Sequence, residues 1–350
     1  MKITDSQWKD FIIGEIFEIQ NSKAYHKSNL SASFDKKIPY ITRTKFNNGL
    51  DSFVENDETF IKNPKNSIVF GAESALFFYE PFEFITGNKM YYIHHEKFNK
   101  HICLFLVAVL NNAISNSKFD YYHGLTGSRL KSIRVLLPVD ENKNLNFKFM
   151  EDFMKEIEKQ QILKYENYLN NLKSSNWGGA ISDLNSVKWN EFNLHDLFPN
   201  IQRGKRLIRT NFIEGNIPFI SSSSLSNGID SFIGNSENVR NFNNCLTLAN
   251  SGSVGSTFYH HYNFIASDHV THLKNEEFNK YVYLFIATMT KRLSEKYNFN
   301  REINDQRLKR ETIILPVDDE GNPDYDYMEQ YMINIEIKLL DKYLNFIKNN

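Results

Sequence analysis

The chain has 350 residues, 41% of them apolar and 24% charged, enough for about two globular domains and too rich in core-forming side chains for a disordered chain. Lys and Arg number 41 against 42 Asp and Glu, so a formal net charge of -1 excludes attraction of a polyanion by the overall field and leaves only local patches. Two cysteines, Cys103 and Cys245, exclude a disulfide scaffold and predict a reducing cytoplasm.

In chain order, Trp8-x-x-Phe11 with Phe17 and Gln20 predicts a short opening strand and turn. Ile38-Pro39-Tyr40-Ile41-Thr42 is a second strand, and Asn48-Gly49 before Leu50-Asp51-Ser52-Phe53 predicts a hairpin, because both turn residues tolerate positive φ. Phe98-Asn99-Lys100 introduces the apolar run Ile102 to Leu110, too short for the ~20 residues that span a bilayer and read as a buried helix, with Cys103 as a small core side chain. MKITDSQWKD lacks the apolar core of a signal peptide, so export is not expected. Arg129-Leu130-Lys131 and Leu137-Pro138-Val139-Asp140 then lead into a long helix striped by Met150, Met154, Ile157, Tyr165, Tyr168 and Leu172, with Gln161 in the same row.

From Trp189 the series begins again. Trp189-x-x-Phe192 with Phe198, Ile217-Pro218-Phe219-Ile220-Ser221, Asn227-Gly228-Ile229-Asp230-Ser231-Phe232, Phe278-Asn279-Lys280, Arg307-Leu308-Lys309 and Leu315-Pro316-Val317-Asp318 repeat the first set in order. The offset is about 180 residues throughout, drifting from Trp8/Trp189 to Arg129/Arg307 through loop insertions. A second terminal helix carries Met328, Met332, Ile335, Leu339, Tyr343 and Phe346 at spacings of three and four, with Asp326 and Glu329 as its expected capping box. Each stripe can pack on its own domain, but two matched terminal helices favour mutual pairing, with Ile157, Ile335, Leu339 and Phe346 in the seam.

The expected organisation is α+β: a mixed domain over 1–149, a helix over 150–174, a linker over 175–188, a second mixed domain over 189–326 and a helix over 327–350. The helices are expected to pair as an antiparallel coiled coil with pseudo-two-fold symmetry. A helix of ~24 residues is ~36 Å long, about one turn of B-form DNA, so the pair has the dimensions of a ruler.

Catalytic signatures are absent from the chain. Gly252-Ser253-Val254-Gly255 lacks the lysine of a phosphate-cradling loop and reads as a turn between strands. Asn322-Pro323-Asp324-Tyr325 is an ordinary turn, and Glu141 and Lys143 after Pro138-Val139-Asp140 have no acid on a preceding strand to share a metal. His260, His261, Asp268, His269 and His272 are metal-ligand types, but the first copy holds Glu80, Pro81, Asn88, Lys89 and Tyr92 there. Local basic segments remain. Arg203, Lys205, Arg206 and Arg209 occur without an acid between them. Tyr121-Tyr122-His123-Gly124 leads to Arg129, Lys131 and Arg134, and the matching stretch of the second copy holds Asn298, Arg301, Asn304, Arg307, Lys309 and Arg310. Arginine addresses guanine, asparagine addresses adenine, and either basic residue neutralises phosphate.

The opening Trp-x-x-Phe, the Ile-Pro-Tyr/Phe-Ile strand, the Asn-Gly turn, Asn250-Ser251-Gly252-Ser253-Val254-Gly255 and the Arg-Leu-Lys to Leu-Pro-Val approach to a terminal helix together resemble DNA specificity subunits of Type I restriction-modification systems over nearly the whole chain. The Asp-containing turn after Leu-Pro-Val and the modest length are more similar to specificity subunits of combined Type II systems. The resemblance implies two target-recognition domains reading a bipartite target, with double-stranded DNA and adenine methyltransferase subunits as partners and restriction activity in the same or another subunit. It implies no cofactor on this chain, S-adenosylmethionine and Mg2+ belonging to partners. Arg43-Thr44-Lys45-Phe46 differs from Ser222-Ser223-Ser224-Leu225, and such differences predict an asymmetric target. The residues expected at DNA are Arg43, Lys45, Tyr122, His123 and Arg129 in the first copy and Arg203, Lys205, Arg206, Arg301, Asn304 and Arg307 in the second. Two rival expectations are a self-contained metal-dependent nuclease built on His260, His269 and His272, and a scaffold that does not touch DNA.

Overall fold

The computed structural model describes residues 2–115, 117, 119, 123–177, 182–298 and 300–349 and divides into two compact units, Met1–Leu163 and Lys164–Asn350. The first unit runs β1 (Gln7–Ile12), α1 (Ile13–Ile16), β2 (Ile19–Asn21), β3 (Ile38–Ile41), β4 (Leu50–Val54), β5 (Ser67–Gly71), β6 (Phe77–Glu80), β7 (Ile85–Thr86) and β8 (Met90–Ile93). Then come α2 (Lys100–Ile114), α3 (Gly127–Lys131), β9 (Arg134–Val139) and α4 (Phe147–Leu172), inside which the unit boundary falls.

A four-stranded sheet has the order β2-β8-β5-β6 and a three-stranded sheet the order β4-β3-β7, with β3 parallel to β7. The opening strand β1 pairs antiparallel with β9 from Gln7↔Val139 to Ile12↔Arg134. Central strand β5 is apolar without alternation because both its faces are covered. Ile68 and Phe70 point to α2, joining Ile102, Phe105, Leu106 and Leu110, while Val69 meets Ile41 of the other sheet and Phe84 just before β7. Asn99 starts α2 by accepting hydrogen bonds from the backbone N–H of His101 (3.0 Å) and Ile102 (3.1 Å). The β3–β4 hairpin turns through Asn48 and Gly49, at φ of 53° and 84°.

The second unit repeats this plan. After the end of α4 it runs β10 (Trp189–Asn193), α5 (Leu194–Leu197), β11 (Asn200–Arg203), β12 (Glu214–Ile220), β13 (Ile229–Ile233), β14 (Asn241–Phe242), β15 (Cys245–Ala249), β16 (Thr257–His260), β17 (Phe264–Ala266) and β18 (Val270–Lys274). It closes with α6 (Lys280–Thr290), α7 (Leu293–Lys296), α8 (Asp305–Leu308), β19 (Thr312–Pro316) and α9 (Tyr325–Asn349). Sheets β11-β18-β15-β16 and β13-β12-β17-β14 and the ribbon β10-β19 match those of the first unit strand for strand, β14 standing where the first unit has an isolated Asn63↔Phe84 bridge. Asn279 caps α6 as Asn99 caps α2, and Asn227 and Gly228 repeat the positive-φ turn.

Two expectations about the terminal helices are corrected. The cap of α9 is Asp324, whose Oδ1 accepts the N–H of Tyr327 (2.9 Å), so Asp326 and Glu329 lie inside the helix and form no capping box at its start. Of the expected α9 stripe Met328 is buried and Met332 and Ile335 are half-buried, but the buried row continues through Ile333, Ile337 and Leu344, whereas Leu339 and Phe346 are 62% and 65% exposed and Ile157 on α4 is 37% exposed. The helix end and α9 do pair within the second unit: Tyr165 meets Tyr343, Glu166 meets Lys348 (2.8 Å), Tyr168 donates to Glu336 (3.1 Å) and Lys173 pairs with Asp341 (2.8 Å). A groove of about 470 Å³ lined by Tyr165, Tyr281, Leu284, Met332, Leu339 and Tyr343 opens along this apolar face. Among the described residues no helix is long and apolar enough to cross a membrane.

Candidate nucleic-acid interface

One corner is built the same way in both units, by main-chain bonds between segments far apart in sequence. In the first, Ala72 N donates to Lys89 O (3.1 Å), Leu125 N to Ala72 O (2.7 Å) and Gly87 N to Ile41 O (2.9 Å). These bonds gather the β5–β6 turn, the β7–β8 turn, the segment after β3 and the approach to α3. In the second, Asn250 N donates to His269 O (2.9 Å), Ile303 N to Asn250 O (3.1 Å) and Ser267 N to Ile220 O (2.9 Å), gathering the equivalent four segments. Most of the residues expected at DNA lie on or beside these segments.

In the first unit the Arg43 guanidinium pairs with Glu73, which also receives Lys89 Nζ (3.0 Å). Lys89, with Arg43 beside it, holds the Glu73 carboxyl below the usual carboxylate range. Two cations thus share one anion. Arg129 lies in the middle of α3 and its Nη1 donates to Gly124 O (2.5 Å), fixing its direction; Thr126 caps the same helix. Lys45 and His123 are exposed, and Tyr122 lies outside the described residues. Lys89 and Glu73 were missed from sequence, although the Gly87-Asn88-Lys89 turn, with Lys89 at φ 56°, marks a sharp projection.

In the second unit Lys205 Nζ is 3.2 Å from Asn238 Oδ1, and Arg206 beside it is exposed. The Arg301 guanidinium lies over the Tyr297 ring, 5.3 Å from its centroid. Buried Glu311, which accepts from the Tyr297 hydroxyl and from Lys296 Nζ (2.8 Å), anchors that ring from below. Arg307 Nη1 donates to Glu302 O (2.5 Å). Asn304 is committed differently from the expectation of base reading: its Oδ1 accepts the Arg307 N–H (2.9 Å) as the cap of α8. Arg203 is only partly exposed and turns into the protein, against Asp305.

The histidines are dispersed among separate partners. His260 is fully buried between Thr247 (2.9 Å) and Tyr262 (3.0 Å), and burial holds it down to about 4. Nδ1 of His272 lies 2.8 Å from Gln202 O, with the ring stacked on Phe242, and His269 Nδ1 lies 2.7 Å from Ser251 Oγ. Among the described residues no three His, Cys, Asp or Glu side chains are placed to hold a metal ion. The residue in register with His260 is Glu80, each opposite the first residue of its central strand, as Cys245↔His260 and Ser67↔Glu80. Burial pushes Glu80 up to about 7 and both cysteine thiols up to about 12.

A duplicated module whose corner is closed by the same main-chain bonds in both copies but carries changed side chains has the form of a tandem recognition protein. The chain belongs to the family of Type I restriction modification DNA specificity domains, whose model matches residues 5–167 and again 186–343. It is 29% identical over 343 residues, 96% of each chain, to the specificity subunit S.BcgI of a Type II restriction enzyme from Heyndrickxia coagulans. Among solved structures it is similar to a Type I restriction-modification S subunit from M. genitalium (15% identity, TM-score 0.42, covering all of this chain and 93% of that one) and to the HsdS subunit from Thermoanaerobacter tengcongensis (14%, 0.34, covering 98% and 91%). It is a specificity subunit of a restriction-modification system, and the rival reading as a self-contained nuclease finds no support in these relatives.

Proposed function

We propose that each unit reads one half of a bipartite, asymmetric DNA sequence and that the chain carries this address to adenine methyltransferase and restriction subunits in the cytoplasm. The observation that carries the reading is the corner itself, closed by equivalent main-chain bonds in both units, with an arginine common to both (Arg129, Arg307) yet lined by Arg43 and Lys89 in one where the other has Ser222 and His269. Equal frames with unequal side chains suit two half-sites of different sequence. Lys45, Tyr122, His123, Arg129, Lys205, Arg206, Arg301 and Arg307 are the residues proposed to face DNA, Arg43 through its shared pair with Glu73. The chain is proposed to contribute recognition and no catalysis, S-adenosylmethionine and Mg2+ being held by its partners. The apolar face around Leu339, Tyr343 and Phe346 suits subunit docking, because a large exposed apolar patch marks an interaction surface.

Mapping of methylated adenines across the genome, with and without this gene, tests the reading. A two-part motif with an unread gap, absent from the deletion strain, is the expected result. A continuous motif, or one that survives deletion, overturns it.

A further inference from the structure

Arg203 stands at the end of β11, in a segment whose density of cations looks like a phosphate grip, yet its fork is engaged within the protein. Nε lies 3.2 Å from Asp305 Oδ1, and Nη2 donates to Ile303 O at 3.5 Å. Asn250, fully buried at the head of the β15–β16 turn, completes the set. In the amide orientation that satisfies both its ends, Asn250 Nδ2 donates to Leu248 O (3.1 Å), and its Oδ1 accepts from Arg203 Nε (2.7 Å) and Nη2 (2.9 Å). One planar guanidinium therefore ties a strand end, a turn and the start of α8 together, a geometry a point charge on a lysine cannot reproduce.

The first unit closes the same junction without a cation. Asn21 occupies the register position of Arg203, Asn21↔Tyr91 against Arg203↔Thr271. Ala72 stands for Asn250 and Gly127 for Asp305, and a Cβ on Gly127 would lie only 3.2 Å from the Tyr91 ring. Close packing does there what the fork does in the second unit.

We propose that Arg203 is a positioning residue for recognition of the second half-site: it sets α8, with Arg307 and the neighbouring Arg301, against the β15–β16 turn and does not itself neutralise a DNA phosphate. This assignment rests on the DNA-reading function proposed above.

The test uses the assembled complex and duplexes carrying the mapped motif, with affinity measured over a range of salt for Arg203→Ala, Arg203→Lys, Asp305→Ala and Arg206→Ala. Loss of one phosphate contact flattens the slope of log K against log salt by about 0.9. Arg206→Ala supplies that reference. Arg203→Ala and Arg203→Lys are expected to keep the wild-type slope while lowering discrimination against second-half-site mismatches by about tenfold or more, the size of one lost base contact, with first-half-site discrimination unchanged. Asp305→Ala, on a carboxylate that is 67% exposed, is expected to lower it in the same direction and serves if Arg203→Ala does not fold. A flattened slope for Arg203→Ala, or full recovery by Arg203→Lys, overturns the assignment alone. A wild-type complex with no sequence preference overturns the DNA-reading function and this assignment with it.

Discussion

Replacing Glu80 by Gln isolates the effect of one buried carboxyl on the first unit. Glu80 is 7% exposed on β6 and accepts the Phe82 N–H at 3.3 Å, a bond the amide oxygen of Gln retains. In the unfolded chain the carboxyl loses its proton near 4.5, whereas burial in the folded unit delays that loss to about 7. Between these values the folded state holds more protons than the unfolded one, so stability is full below pH 4.5 and declines as pH rises through 7. At about 1.4 kcal/mol per pH unit the decline is about 3 kcal/mol, equivalent to about two orders of magnitude in protection. Hydrogen exchange of peptides from β5 and β6, in the full-length chain and in Glu80→Gln at matched pH, measures it, because the intrinsic pH dependence cancels in the ratio. The variant is expected to be more protected than the wild type above pH 7, with the two converging near pH 4.5. Equal protection at pH 8, or a wild type that gains stability with rising pH, would refute the reasoning.

The mirror-image effect is expected in the second unit, where burial lowers His260 from 6.5 to about 4: stability falls as pH falls through that window, and His260→Gln removes the slope from β15–β16 exchange. Cys103 and Cys245, buried with thiols pushed up to about 12, should resist an aromatic disulfide reagent at pH 8 until the chain unfolds, and one rapidly reacting thiol would contradict their placement. Gly204→Ala should lower the urea midpoint by the equivalent of about 3 kcal/mol or more, since its Cβ would lie 2.2 Å from the carbonyl oxygens of Ala266 and Ser267. Gly321→Ala, which meets nothing within 4 Å and pays only for φ +86°, should cost about 1 kcal/mol.

The repeat was legible because it is written in features that local chemistry reads directly: the Asn-Gly turns, the Asn caps of α2 and α6, and the apolar runs behind them. Register within the terminal helices was not. Ile333, Ile335, Ile337, Leu339 and Leu340 crowd apolar residues around α9, so spacing alone cannot say which row is buried, and the buried row proved to run through Ile333, Ile337 and Leu344. Sequence does not single out Asp324 as the cap, because the turn before α9 offers two aspartates two positions apart. The basic segments were legible as charge but not as geometry. Arg203 meets Ile303 across 100 residues of sequence, and Arg301 depends on a tyrosine held by a carboxylate beyond α8. Such commitments are tertiary, and a list of cations does not separate the arginines that brace the corner from those that face outward.

The corner closes through amides and carbonyls, which every residue carries, so its side chains answer to a different constraint from its framework. A mutation at Lys45, Ser222 or His269 leaves the bonds that gather the four segments in place, and new preferences can arise by drift or by exchange of short stretches between genes without a new architecture. Arg203 and Asn250 are the exception. Their side chains belong to the framework, so the second unit is expected to tolerate less sequence change at that junction than the first does at Asn21 and Ala72.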